Sequence, residues 1–135
     1  MRTRLLVGAL VLLPMLMAVG TYANQGHEVR PNEQWAVVNF ETPTEVGGAL
    51  LLGPYLIVHN DNKMPCTTIY RFDPKRGPQE RVVEFMCIPN HALPNETMTL
   101  TVRREPGISI PSRVVLVGYQ FAGDAEIHGV PSTLR

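Results

Sequence analysis

The sequence predicts an all-β protein: a single antiparallel β-sandwich or barrel-like domain that follows an N-terminal signal peptide. Three observations carry this. Segments rich in β-branched, leucine and aromatic residues recur at short spacing along the chain. Turn formers separate them, drawn from 11 glycines and 12 prolines in 135 residues. No stretch between them repeats with a helical period, and short strands at such spacing fit a sandwich or barrel.

Met1-Arg2-Thr3-Arg4 is a positive start, Leu5 to Gly20 an apolar run broken by Pro14, and Thr21-Tyr22-Ala23 a small-residue cleavage site. This is the pattern of a signal peptide over residues 1–23, cut after Ala23. The run is shorter than the roughly 20 residues that span a bilayer, and Asn24 in place of a cysteine argues against a lipoprotein anchor. Residues 24–135 then form a single β domain, sized for one core, in a periplasmic or secreted location.

Within that domain Asn24–Glu33 reads as a polar lead and Trp35–Phe40 as the first strand. Ala49-Leu50-Leu51-Leu52 is apolar on both faces, which predicts a central strand covered on both sides. Gly53-Pro54 then predicts a bend or bulge before the strand runs on to His59. Asn60-Asp61-Asn62-Lys63 reads as a turn. Cys66–Phe72 and Arg81–Ile88 form a hairpin about Arg76-Gly77. Thr97–Arg103 alternates, with Met98, Leu100 and Val102 on one face. Arg113–Phe121 is a further strand, Ala125–His128 a short edge strand, and Gly129–Arg135 a tail.

In a hairpin centred on Arg76-Gly77, paired residue numbers sum to 153, which sets Cys66 opposite Cys87. These are the only 2 cysteines in the chain. An exported pair meets oxidising conditions, so a Cys66–Cys87 disulfide is expected. The register also collects Tyr70, Phe72, Val83 and Phe85 on the cysteine face.

The same cysteines admit another chemistry. His59, Met64, Cys66, Met86, Cys87, His91, Met98 and His128 are the ligand types that select soft metals. Phe85-Met86-Cys87-Ile88-Pro89-Asn90-His91 followed by Met98, with His59 upstream, is similar to the ligand strand and loop of the cupredoxins. It differs from them in its stretched Cys–His–Met spacing, in a His59 close to Cys87, and in a full strand after Met98. The metal reading names His59, Cys87, His91 and His128, and a disulfide would remove Cys87 from it. A thiol-enzyme reading takes Cys87 as nucleophile, His91 or His128 as base and Asp124 as orienter, without a local signature.

Charge excludes one class of partner. The chain carries 12 basic and 12 acidic residues, and its basic residues are scattered where nucleic-acid binding needs them concentrated. No second apolar segment is long enough to span a membrane. Asn95-Glu96-Thr97 is a glycosylation sequon, with meaning only in a eukaryotic secretory pathway. Through Gly53–His59, Cys66–Phe72, Val82–Pro89 and Phe121-Ala122-Gly123 the chain resembles a loose group of small exported, functionally uncharacterised, β-rich bacterial proteins. That resemblance implies location and fold class without an activity. The resulting expectation is an exported, non-enzymatic β domain without a cofactor, a binding or structural module of the cell envelope, its partner left open between a protein and a small-molecule ligand. The alternative is a copper- or other metal-binding periplasmic protein.

Overall fold

The computed structural model describes residues 32–106 and 112–132; the signal-peptide segment 1–23 lies outside them. Eight strands follow in order: β1 Glu33–Val46, β2 Ala49–Asn60, β3 Thr67–Asp73, β4 Gly77–Phe85, β5 Ile88–His91, β6 Thr99–Glu105, β7 Arg113–Gln120 and β8 Glu126–Gly129. The all-β class is as expected, but the strands make one mixed sheet and not two stacked antiparallel ones. Its order is β4-β3-β2-β1-β7-β8-β5, with β6 paired to the other side of β7. The mixed character comes from β1, whose end runs parallel to β7 at Thr44↔Val114 and Glu45↔Val115. Arg113 reinforces that seam with ion pairs to Glu45 at 2.7 Å and Glu105 at 2.6 Å.

β4 and β5 lie at opposite ends of the strand order, yet only Met86 and Cys87 separate them in sequence. Contacts between strands that are not ladder neighbours show that the sheet curls: Thr67 on β3 meets Tyr119 on β7, and His59 on β2 meets His128 on β8, although no strand ladder joins β4 to β5. Apolar residues of the inner face fill the curl: Val46, Leu51, Ile57, Ile69, Leu116 and Tyr119 are among the most deeply buried. A hydrogen bond crosses it between Thr67 Oγ1 on β3 and the Tyr119 hydroxyl on β7, at 2.5 Å.

The hairpin register differs from expectation. Near the cysteines Thr67 pairs with Phe85 and Ile69 with Val83, whereas at the turn Asp73 pairs with Gly77. The turn is tighter because the Asp73 carboxylate accepts the Lys75 and Arg76 N–H groups at 2.7 and 3.1 Å. Two irregularities, at Ile69/Tyr70 and Tyr70/Phe72, then shift the pairing. A one-residue slip exchanges faces, so Thr67 and Ile69, not Thr68 and Tyr70, accompany Phe85 on the inner side.

Three other expectations are corrected. Leu50 and Leu52 are exposed while Leu51 is buried, so this end of β2 is covered on one face only. The foreseen irregularity at Gly53 is present, between Phe40↔Gly53 and Thr44↔Leu51, with the extra residues on β1. Ala125–His128 is not at an edge: β8 is Glu126–Gly129 and pairs with both β7 and β5. Nor is Val130 in a loose tail, since it is buried and its N–H donates to the Val117 carbonyl at 3.0 Å.

Candidate metal centre

The curl gathers residues distant in sequence at the seam where the sheet edges approach. His59 comes from the end of β2, Cys66 from just before β3, Cys87 from the β4–β5 connection and His128 from β8. One donor atom each from His59, Cys87 and His128 lies within 4.8 Å of the others. The imidazoles of His59 and His128 are 4.1 Å apart between centroids, and Tyr119 stacks on His128 at 5.1 Å. Both histidines are almost wholly buried, at 1% and 2% exposure.

Each imidazole is held from behind by a carboxylate. His59 Nε2 is 2.7 Å from Asp61 Oδ1, and His128 Nε2 is 2.9 Å from Asp124 Oδ2. A carboxylate accepts, so both Nε2 atoms donate, and in the neutral imidazole Nδ1 keeps a lone pair. His59 Nδ1 faces Cys87 Sγ at 3.7 Å, with the Tyr119 hydroxyl 3.5 Å away. His128 Nδ1 is buried without a hydrogen-bond partner among the described residues, its nearest carboxylate oxygen being Glu126 Oε1 at 3.7 Å. An unsatisfied buried polar atom costs about 1–3 kcal/mol.

The surroundings fix Asp124. The side-chain amide of the buried Gln120 donates to the carbonyls of Leu93 at 2.8 Å and Asp124 at 2.7 Å, and accepts from Asn95 Nδ2 at 2.8 Å. Gly123, at φ 76°, returns its N–H to the Asn95 carbonyl at 2.7 Å. The half-buried sequon asparagine thus commits its side-chain amide to hydrogen bonds with Gln120 and Thr99. On the other side, β5 and β8 meet closely at Gly129, where a Cβ would stand 3.0 Å from the Ile88 carbonyl oxygen.

Cys66 and Cys87 are both free thiols, with sulfurs 2.6 Å apart; the expected disulfide is not formed in this structure. Cys66 is buried and Cys87 half-buried. The Cys87 N–H donates to Cys66 Sγ at 2.8 Å. Burial, and then the adjacent Cys66 sulfur, push the Cys87 thiol up to about 12. A thiol kept protonated is a poor free nucleophile, whereas a coordinating cation removes its proton outright.

Of the ligand candidates named from sequence, His59, Cys87 and His128 are brought together, and His91 is not: it is exposed on β5. Met98 is half-buried against the core. Sequence reasoning missed Asp61, Tyr119 and Thr67 as parts of the site. Asp61 was legible as a carboxylate two residues from a histidine, but the other two arrive only through the curl. No protein-family model matches the chain, and neither a curated protein nor a solved structure matches it.

Proposed function

We propose that this is an exported, non-enzymatic metal-binding β domain, holding one thiophilic transition-metal ion, copper or zinc, on His59 Nδ1, His128 Nδ1 and Cys87 Sγ. The observation that carries it is the pair of buried imidazoles, each with Nε2 on a carboxylate, His59 Nδ1 facing the Cys87 sulfur and His128 Nδ1 without a hydrogen-bond partner among the described residues. Carboxylate–histidine pairs of this kind orient imidazoles toward metal ions and raise their basicity. The spacing also fits. Metal–nitrogen bonds of about 2.05 Å and metal–sulfur bonds of about 2.3 Å put two such donors roughly 3.6–3.8 Å apart, and His59 Nδ1 stands 3.7 Å from Cys87 Sγ. Two imidazoles and a thiolate suit copper and zinc and disfavour calcium or magnesium, which take oxygen ligands.

The generic envelope module remains compatible, but it explains neither the buried histidines nor the orphaned nitrogen. Export supports the reading only through the residue pattern of positions 1–23, and the intact mass of the envelope-purified protein, starting at Asn24, tests it. The metal site is tested by titrating reduced, chelator-washed protein with Zn(II) and, anaerobically, with Cu(I). One equivalent should bind, and Cys87→Ser should abolish it while the far-ultraviolet circular dichroism stays unchanged. Failure of both ions to reach half an equivalent at micromolar concentrations would refute the proposal.

A further inference from the structure

We infer that Cys66 is a redox partner and not a metal ligand: oxidation of the Cys66–Cys87 pair to a disulfide would withdraw Cys87 from the metal and release the ion. The inference rests on the metal-binding reading above and adds its regulation. Cys87 belongs to two constellations at once, with His59 Nδ1 at 3.7 Å and Cys66 Sγ at 2.6 Å. Two thiolates sharing one tetrahedral ion stand about 3.8 Å apart, whereas a disulfide bond is about 2.05 Å long. The observed sulfur separation lies nearer the second value. Cys66 is also absent from the donor atoms that converge within 4.8 Å. A sulfur in a disulfide has no thiolate to offer, so the two states of Cys87 exclude each other.

The reaction balances with an external disulfide as oxidant. Cys87 Sγ, the more accessible of the two sulfurs and a thiolate where a bound cation has displaced its proton, attacks one sulfur of that disulfide, expelling the first thiolate and forming a mixed disulfide. Cys66 Sγ then attacks Cys87 Sγ and expels the second thiolate. The two protein sulfurs are oxidised and the external disulfide is reduced to two thiols, one taking up the proton lost from Cys66 and the other a proton from solvent, because metal-bound Cys87 has already given up its own. The ion leaves with His59 and His128 as its only remaining protein donors. A thiol reductant reverses the sequence.

The test uses the full mature chain loaded with one equivalent of Zn(II), with a parallel anaerobic sample loaded with Cu(I). Each is treated with oxidised glutathione and followed by intact mass and by bound metal after desalting. The expected result is a loss of two hydrogens from the chain together with loss of the ion, both reversed by reductant. Cys66→Ser should bind one equivalent and keep it through the same treatment. Two results would overturn the inference while leaving the metal-binding reading intact: no internal disulfide in a glutathione redox buffer, or release from Cys66→Ser as a glutathione adduct. The ion retained by a chain that has formed the disulfide would overturn the inference and also remove Cys87 from the ligand set. A reduced wild-type chain that binds neither ion would instead overturn the metal-binding reading itself, and this inference with it.

Discussion

Replacing Tyr119 by phenylalanine removes a single oxygen and leaves the ring in place. That ring is fully buried, so no cavity of consequence opens, and the effect isolates the hydroxyl. Its partner Thr67 Oγ1 is equally buried, and its other contacts are with the weakly accepting sulfurs of Cys66, at 3.9 Å, and Cys87. Tyr119→Phe therefore strands a buried hydroxyl, at a cost of about 1–3 kcal/mol. Thr67→Val is the reciprocal change and should cost less, because the Tyr119 hydroxyl keeps His59 Nδ1 within reach at 3.5 Å. In the double variant neither hydroxyl is left unpaired by the other. Its cost should fall short of the summed single costs by about 1–2 kcal/mol. Urea unfolding in reductant, read from the fluorescence of the 1 tryptophan, Trp35 on β1, measures all three. Additive costs would refute the idea that the bond between β3 and β7 crosses the interior as a unit. Thr67→Val costing more than Tyr119→Phe would refute the place assigned to His59 Nδ1.

Other outcomes follow from the site and its frame. Asp124→Asn should weaken Zn(II) binding by about 10–100-fold with the fold retained, and Asp61→Asn should weaken it less, since the Asp61 side chain is 73% exposed against 16% for Asp124; competition with a chromophoric chelator ranks them. Gly129→Ala drives a Cβ to within 3.0 Å of the Ile88 carbonyl oxygen and should cost about 1–3 kcal/mol by forcing β5 off β8, with metal affinity falling in parallel in the same chelator assay. Hydrogen bonds from Arg113 and then Arg103 hold Glu105 below its ordinary value of 4.5. Its contribution is therefore present above the unfolded-state value and lost as pH falls through the folded one. The stability gap between wild type and Glu105→Gln should close below about pH 4.5 in urea titrations, and the gap is small because the group is solvent-screened.

The strands were legible because their residues are β-branched and their punctuation is chemical. Asn60-Asp61-Asn62 and Gly47-Gly48 stand where turns occur, and Val38 and Phe40 alternate inward as the period requires. The hairpin register was not legible. It depends on two bulges, and an Asp73 side chain that closes the turn moves the pairing without changing any strand's composition. β5 was hidden by Pro89, which demotes a run to a turn or an edge, and β5 is indeed an edge of the strand order. At the site, the ligand types of His59, Cys87 and His128 could be read from the chain, but their meeting could not. It follows from the curl of the sheet, a property of topology that no local pattern encodes. His91 illustrates the converse: four residues from Cys87 in sequence, it is exposed on the edge strand and outside the cluster.

That topology also orders events as the chain folds. Strands β1 to β4 pair each with the next, so this meander forms through short loops, whereas joining β7 to β1 and β8 to β5 requires closing much longer ones. Cys66 and Cys87 flank the last hairpin of the meander, and His59 lies at the end of its second strand. His128 enters only with β8. The two sulfurs therefore meet in a half-built protein, before the second imidazole arrives. A chain emerging into an oxidising compartment would be exposed to disulfide formation before it can hold an ion, and one folding under reducing conditions would complete the ligand set first. The compartment's redox state during the first moments of folding, as much as its metal content, would decide which form of the domain accumulates.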